Sequence, residues 1–328
     1  MGLASVWETV RWGLTRTVRN YRDPEWWRIA IWNRIRNGLL HTQYRLMAPE
    51  GVDIMEADWD NLFIVDGCRY DMFEDLNCLP GRLSWRYSKA TATPEFLERN
   101  FAGTQHHDTV YVTANPMYRR EEVDIDWSGV FFDIVDIWAE GWDEELNTVR
   151  PEVVAEAVEQ AHETYPEKRI LAHFVQPHHP FIGEEGGSLK DTGMQGTRTA
   201  DGESATDEKI WDRLRNGEVD VNRVEKAYRE NLELLFPHLE TLLESVTGRT
   251  VITSDHGNLL GERLSPFPFR EYGHPSDVYA EGLLRVPWLV IEKEPRKQVV
   301  AMSPESAGPR EMTEGVQRRL AELGYLQE

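Results

Sequence analysis

The sequence predicts an α/β fold in which a mostly parallel β-sheet is flanked by helices, with a helical appendage before it. Three observations support this prediction. From residue 60 onward, short runs rich in β-branched and aromatic residues alternate with longer amphipathic stretches, as in strands joined by crossover helices. Two of these runs end directly in Asp or Asp-His. The first 48 residues differ from the rest in their helical spacing and their excess of arginine.

Residues 1–48 are predicted to form a basic, Trp-rich helical appendage. They contain eight arginines and three acidic residues, which gives a local charge of about +5. Apolar residues recur at helical spacing from Leu3 to Val18, and Asp23-Pro24 is typical of the start of a second helix over 24–47. Tryptophan mixed with arginine suits the headgroup zone of an anionic membrane. The alternative is that these helices pack on the larger domain or on a second subunit.

Residues 49–328 are predicted to form one larger domain. Strands are expected at 61–66, 109–113, 170–175, 250–254 and 286–291. Helices are expected at 94–101, 151–164, 222–246 and 311–323. The Gly-rich, polar stretch 184–209 contains no aromatic residue and predicts a long irregular insertion.

The composition narrows the classes of protein. Acidic residues number 57 against 36 Lys and Arg, which gives a net charge of −21. Only seven of the basic residues are lysines. Such a surface is typical of proteins that stay soluble at high salt, so a halophilic, archaeal source is expected; an ordinary acidic soluble protein is the alternative. A nucleic-acid partner is not expected, because binding to phosphates relies on clustered cations.

The cysteine content and the hydropathy of the sequence predict the cellular location of the protein. Cys68 and Cys78 have neither the spacing of a metal knuckle nor the density of a secreted scaffold, so both are expected to be reduced. No run of about 18 apolar residues and no signal-peptide pattern occurs. We therefore expect a cytoplasmic protein whose appendage binds peripherally to the inner face of the membrane.

Two predicted strands end in residues of the types that commonly bind metal ions. Asp66 follows the run NLFIV, and Asp255 and His256 follow TVITS, with a glycine directly behind each motif. Because ligands gather beyond the carboxyl ends of parallel strands, these side chains are expected to converge. Carboxylate and imidazole together suit a divalent cation. Taken alone, an Asp at the end of a strand is more often a turn residue or a helix cap than a metal ligand.

A pair of threonines precedes a predicted helix start. Thr91 and Thr93 lie just before Pro94 and Glu95, where exposed backbone N–H groups would attract an anionic ester. One threonine can simply cap the helix. Both roles can coexist, with Thr93 as the cap and Thr91 as the nucleophile.

Two further histidines and one arginine are candidates at the same edge of the sheet. His178 lies in the run PHHPF after a predicted strand, and His274 lies in EYGHPSD. Arg69, three residues past Asp66, could neutralise an anionic substrate, although an ordinary surface or helix role is the common one for such an arginine.

These segments, in this order, resemble the alkaline phosphatase superfamily, in particular its sulfatase-like and lipoteichoic-acid-synthase-like branches, over residues 58–292. The resemblance implies an alkaline-phosphatase-like catalytic domain in which Asp66, Asp255 and His256 bind the metal. TATPEF resembles the nucleophile turn of the lipoteichoic acid synthases, which favours Thr91 over the alternative nucleophile Thr93. The Pro-His-x-Pro element implies a substrate contact for His178.

Two departures from the family limit what the resemblance implies. Neither cysteine lies in the Cys-x-Pro-Ser-Arg motif of true sulfatases, which disfavours sulfate-ester hydrolysis by that route. No second Asp-x-x-x-His pair precedes Asp255, so one firmly held ion (Zn, Mn, Mg or Ca) is expected, with His274 as an extra ligand or substrate contact. The expected activity is hydrolysis or transfer of an anionic ester, lipid- or glycan-linked substrates included. The alternative is a non-catalytic docking protein that retains the fold.

Overall fold

A computed structural model of the chain describes residues 24–120, 123–189, 210–268 and 270–304. The described chain falls into two compact units. Helix α1 (Pro24–Met47) belongs to the first, together with Asp277–Tyr279. The second comprises Glu50–Ser276 and the chain from Ala280 onward. The helices predicted before residue 20 and over 311–323 lie outside the described residues.

The second unit is built on a seven-stranded sheet. Its strands in chain order are β1 (Asn61–Val65), β2 (Arg82–Tyr87), β3 (His106–Thr113), β4 (Phe131–Asp136), β7 (Arg169–Phe174), β8 (Thr250–Thr253) and β11 (Arg285–Ile291). The spatial order is β2-β11-β8-β1-β7-β3-β4, in which β8, β1, β7, β3 and β4 are mutually parallel. Two small two-stranded sheets pair β5 (Trp142–Asp143) with β6 (Thr148–Val149) and β9 (Leu259–Arg263) with β10 (Arg270–Gly273).

This architecture confirms the predicted fold class and all five predicted strands. The sequence pattern missed β2 and β4, which are the two edge strands. Edge strands are only half covered, so they mix charged residues with apolar ones and lack an uninterrupted apolar run.

Helices cover the sheet and connect its strands. They are α2 (Tyr70–Leu76), α3 (Thr93–Phe101), α4 (Trp138–Gly141), α5 (Pro151–Thr164), α6 (Glu184–Leu189), α7 (Ile210–Arg215), α8 (Val221–Ser245) and α9 (Glu281–Leu284), with a 3₁₀ turn at Pro116–Arg119. The helices predicted at 94–101, 151–164 and 222–246 are confirmed to within one residue at each end.

The predicted irregular insertion is wrong at its start. Residues Glu184–Leu189 form α6, because Leu189 is buried and the backbone N–H of Glu185 donates to the Glu230 carboxylate of α8 at 2.8 Å. Residues 190–209 lie outside the described chain.

The core lies on both faces of the sheet. Along β1, Leu62 and Ile64 pack into one hydrophobic cluster, whereas Phe63 and Val65 pack into the other. Both faces of the sheet are therefore covered by apolar side chains. This explains why the sequence of β1 is a continuous apolar run rather than an alternation of apolar and polar residues. Burial of such side chains contributes about 1.5–3 kcal/mol each.

The sheet order brings three parallel strands to one edge. β1 lies between β7 and β8, with Ile64 paired to His173 on one side and to Thr253 on the other. The segments that follow these strands therefore leave the sheet at the same carboxyl edge, where α/β folds bind ligands. None of the described helices combines the length and the apolar character needed to cross a bilayer.

Candidate active site

Two buried carboxylates meet at this edge. Asp66 directly follows β1, and Asp255 lies two residues past β8; both are at most 1% exposed. Asp255 Oδ1 accepts hydrogen bonds from the backbone N–H groups of Gly67 and His256, each at 2.9 Å. Asp66 Oδ2 accepts from the Asn115 side-chain amide, but Asp66 Oδ1 has no hydrogen-bond partner among the described residues. The two carboxylates therefore leave one oxygen, Asp66 Oδ1, without a hydrogen bond from the described residues.

Gly67 allows the chain to turn directly after Asp66, so that its backbone N–H reaches Asp255. Its φ is +62°, in the left-handed region, and a Cβ here would lie 2.9 Å from Asn258 Nδ2 and 3.4 Å from the His256 ring. The glycine behind Asp66 is therefore required both by backbone conformation and by close packing.

The pKa values of the two carboxyl groups move in opposite directions. Burial raises the pKa of Asp66 well above its ordinary value, and the charge of Asp255 raises it further. Burial also disfavours the ionised form of Asp255, but its interactions with the His256 and His173 rings and its hydrogen bonds from the Gly67 N–H and the Thr93 hydroxyl outweigh it, so the Asp255 pKa is lowered. A bound cation would relieve the repulsion that keeps Asp66 protonated.

His256 presents a lone pair to both carboxylates. Its Nδ1 lies 2.8 Å from the carbonyl oxygen of Gly257, and since a carbonyl only accepts, Nδ1 carries the proton. In the neutral ring, Nε2 then keeps a lone pair, 3.4 Å from Asp255 Oδ2 and 3.8 Å from Asp66 Oδ1. Ligand atoms that share one Zn²⁺ at about 2.0–2.2 Å in tetrahedral geometry lie at similar separations.

His173 was not identified from the sequence. It lies inside β7, is fully buried, and places Nε2 3.7 Å from Asp66 Oδ2 and 3.9 Å from Asp255 Oδ2. This Nε2 atom has no hydrogen-bond partner among the described residues. The available signal was a lone histidine within the apolar run ILAHFV. Because His173 lies inside the strand, it is not among the polar residues that follow strand ends.

Asp66, His173 and Asp255 form a group that could hold a metal ion, with their ligand atoms all within 4.8 Å of one another. The unpaired atoms Asp66 Oδ1 and His173 Nε2 fit this assignment, because a buried polar atom without a partner is otherwise costly. Two carboxylates with imidazoles suit Zn²⁺ or Mn²⁺ better than Ca²⁺, which prefers an all-oxygen shell of six to eight ligands.

The two threonine hydroxyls have different partners in the structure, and neither threonine is the N-cap of the helix. Helix α3 begins at Thr93, and its N-cap is Ala92, so Thr93 does not cap the helix. The Thr93 hydroxyl instead donates to Asp255 Oδ2 at 2.8 Å and lies 3.3 Å from His256 Nε2. Among the two hydroxyls, Thr93 is therefore the one at the carboxylate pair.

Thr91, the nucleophile preferred from the sequence, is engaged elsewhere. Its hydroxyl lies 3.1 Å from Glu95 Oε2 and 3.0 Å from the carbonyl oxygen of Pro275. The Glu95 carboxylate also accepts from the Thr91 backbone N–H at 2.8 Å, so the side chain reaches back over the helix start as in a capping box. This local hydrogen bonding explains the Thr-x-x-x-Glu spacing without a catalytic role.

His178 and His274 do converge on the site. Their Nε2 atoms lie 3.0 Å apart, and the His274 ring stacks on His256 with centroids 4.6 Å apart. His178 Nδ1 donates to the carbonyl of His179 at 2.7 Å, so its Nε2 accepts from His274. Burial lowers the pKa of His178 well below its ordinary value, which keeps the ring neutral.

Arg69 does not present a free charge to the site. Its guanidinium pairs with Asp71 at 2.6 and 2.8 Å and with Glu262, and it donates to the carbonyl of Asn258 at 2.9 Å. These bonds join the segment after β1 to the segment after β8. These contacts favour a structural role for Arg69, holding the two segments together, over the predicted contact with substrate.

Comparison with known proteins gives distant structural likeness. No protein-family model and no curated protein matches the sequence. Similar solved structures include the C-terminal periplasmic domain of EcEptC from Escherichia coli in complex with Zn, at 14% identity and a TM-score of 0.46, covering 84% of each chain.

Two further similar structures are a protein in the alkaline phosphatase superfamily from Vibrio parahaemolyticus and the lipoteichoic acid synthase LtaP from Listeria monocytogenes. The first shares 12% identity at a TM-score of 0.38 and covers 73% of this chain and 61% of the other. The second shares 12% identity at a TM-score of 0.35 and covers 70% and 64%. At such values, an activity has to be argued from the side chains of the site.

Proposed function

We propose that this chain is a metal-dependent hydrolase or transferase of phosphate-type esters in which Thr93 is the nucleophile. The observation that carries the proposal is the Thr93 hydroxyl, hydrogen-bonded to Asp255 and 3.3 Å from His256 Nε2. The order of these residues in the chain, which resembles the alkaline phosphatase superfamily, points to the same chemistry.

Asp66, Asp255 and His256 would hold the divalent ion, and His173 would approach it from within the sheet. When bound, the ion would polarise the phosphoryl oxygen and lower the pKa of the nearby hydroxyl. The enclosed position of the site limits access of water, which strengthens every charge interaction within it.

Asp255 orients the nucleophile. Since the Thr93 O–H donates to Asp255 Oδ2, the lone pairs of Thr93 Oγ1 are turned away from that carboxylate and would be available to attack phosphorus. The new Oγ1–P bond forms as the bond from phosphorus to the leaving oxygen breaks, and the hydroxyl proton ends on the leaving alcohol. Water or an acceptor alcohol then attacks the phosphothreonine and restores the free hydroxyl.

His178 and His274 would position the ester. Their contact of 3.0 Å fixes both rings beside His256, and the N–H that His274 donates to His178 would have to turn to an oxygen of the ester when the substrate binds. The pair lies on the loops after β7 and β10, which are the segments that can differ between enzymes without disturbing the sheet.

The test compares Thr93→Ala with Thr91→Ala, using p-nitrophenyl phosphate and bis(p-nitrophenyl) phosphate as probes. Thr93→Ala is expected to lower turnover by at least about three orders of magnitude with metal content retained, as removal of a nucleophile does in other enzymes. Thr91→Ala is the matched control: it removes hydrogen bonds to Glu95 and Pro275, should cost about 1 kcal/mol of stability, and should keep most turnover.

Mass spectrometry of rapidly quenched enzyme identifies the modified residue. Label on a Thr93-containing peptide at position 93 supports the proposal; label on Thr91, or an active Thr93→Ala enzyme, overturns it. Protein that binds a divalent metal but forms no covalent adduct and turns over neither probe would favour the non-catalytic alternative.

A further inference from the structure

Helix α1 carries a row of large apolar side chains that face solvent. The exposed fractions are 54% for Ile31, 51% for Trp32, 51% for Ile35, 40% for Leu39 and 80% for Leu46. At about 100° per residue, these five positions fall within an arc of about 100° on the helix surface. They form one row along the helix, in which Thr42 lies between Leu39 and Leu46, and we call this row the exposed stripe.

The exposed stripe is not the face by which α1 packs. Leu40, Gln43 and Tyr44 are the buried residues of this helix, at 1%, 5% and 6% exposure. Leu40 and Tyr44 lie about 80–180° around the helix from the members of the stripe, whereas Gln43 lies about 20° from Trp32 at its edge. The packing face meets the exposed stripe only at the edge beside Trp32, so most of the stripe faces away from it, and a row of exposed apolar side chains of this kind marks an interaction site.

The charges of α1 identify the class of occupant. The helix contains four arginines and one acidic residue within a chain whose net charge is −21. On the helical wheel Arg34 and Arg45 border one side of the exposed stripe, Arg36 borders the other, and Arg28 falls within its arc. Arg34 and Arg45 are exposed. Exposed Trp, Ile and Leu side chains mixed with arginines suit the headgroup region of an anionic bilayer, where apolar groups and phosphate-binding cations lie side by side.

We infer that α1 docks the protein on an anionic membrane surface, with the exposed stripe among the headgroups and the flanking arginines on lipid phosphates. Residues 49–328 carry a net charge of about −26 and are repelled by such a surface, so attraction is confined to the basic residues 1–48, to which α1 belongs. This inference is independent of the proposed catalytic activity.

The test measures flotation of the full-length protein with vesicles of phosphatidylglycerol and phosphatidylcholine in equal parts, and with vesicles of phosphatidylcholine alone. Wild type is expected to bind the anionic vesicles and to bind the neutral ones at least about tenfold less. Trp32→Ser with Ile35→Ser should lower binding to anionic vesicles at least about tenfold, and Arg34→Gln with Arg45→Gln about fivefold per arginine, the latter effect shrinking at high salt.

Leu234→Ser is the matched control, because Leu234 is a 42% exposed leucine on α8, in the other unit. It should bind like wild type, and circular dichroism should show all variants folded. Failure of wild type to bind anionic vesicles, or equal binding by the stripe variants, overturns the inference. So does a wild-type dimer that Ile35→Ser dissociates in sedimentation, since the stripe would then be covered by a second copy of the chain.

Discussion

Tyr111 supports the imidazole of His173 from the side opposite the carboxylates. Its hydroxyl lies 3.0 Å from His173 Nδ1, and both residues are fully buried. Burial lowers the pKa of His173 to about 4, so the ring is neutral at pH 7. If Nδ1 carries the proton and donates to the tyrosine oxygen, Nε2 keeps its lone pair toward Asp66 and Asp255.

Tyr111→Phe therefore tests whether His173 is a ligand. Loss of the hydroxyl frees the ring to adopt the other tautomer, and we expect the affinity for Zn²⁺ or Mn²⁺ to fall by roughly 10-fold or more. Competition with a chromogenic chelator measures this. Tyr118→Phe is the control, because the Tyr118 hydroxyl donates to Asp136 at 2.7 Å and not to a site histidine. Equal affinity in both variants and wild type would remove His173 from the ligand set.

At the scale of elements, helix α8 determines where the loop after β7 lies. Asn231 of α8 donates through Nδ2 to the carbonyl oxygens of Pro180 at 3.0 Å and His178 at 3.2 Å. Its Oδ1 accepts from the backbone N–H of Ile182 at 2.7 Å. One buried side chain thus satisfies several backbone groups of the loop and fixes the position of His178 over the site.

We expect Asn231→Ala to lower the free energy of unfolding by about 1–3 kcal/mol, because the buried backbone groups of the loop lose their partner. Turnover should fall with it, since His178 is no longer held. Urea denaturation and steady-state kinetics measure the two effects. Thr241→Ala on the same helix is the control, since its hydroxyl bonds only to the exposed carbonyl of Pro237. A variant with wild-type kinetics would show that the loop is positioned by other contacts.

At the scale of the whole molecule, the buried carboxylate pair links stability to pH and to metal. Burial and the charge of Asp255 raise the pKa of Asp66 on folding, so the native metal-free protein holds a proton that the unfolded chain releases. Stability of the metal-free protein should therefore decline as pH rises from the ordinary carboxyl range through the raised pKa. A bound metal would replace this proton and remove the penalty.

Asp66→Asn separates these effects. The amide keeps an acceptor for Asn115 but removes the charge, so the metal-free variant should be more stable than wild type at pH 7, by about 1 kcal/mol. Saturating metal at about 100 times the Kd should stabilise wild type by about 2.7 kcal/mol and leave the variant unchanged. Thermal unfolding with EDTA and with Zn²⁺ gives all four values. An equal response of both proteins to metal would contradict the site.

The sequence by itself determined the class of fold and the strand ends that build the site. The central strands are covered on both faces, so uninterrupted apolar runs identify them, and the abrupt change from apolar residues to Asp66 or Asp255-His256 marks the carboxyl edge. The amphipathic period of α8 is equally local, because each buried residue is set by the helical repeat.

Only the tertiary structure decided which side chains meet. Thr91 and Thr93 are two residues apart and chemically identical, and their roles differ because Glu95 and Pro275 engage the first while Asp255 engages the second. His173 joins the carboxylates because β7 pairs with β1, a contact between residues more than 100 positions apart. Local pattern describes what each segment can form; hydrogen bonds between distant segments determine which atoms become a site.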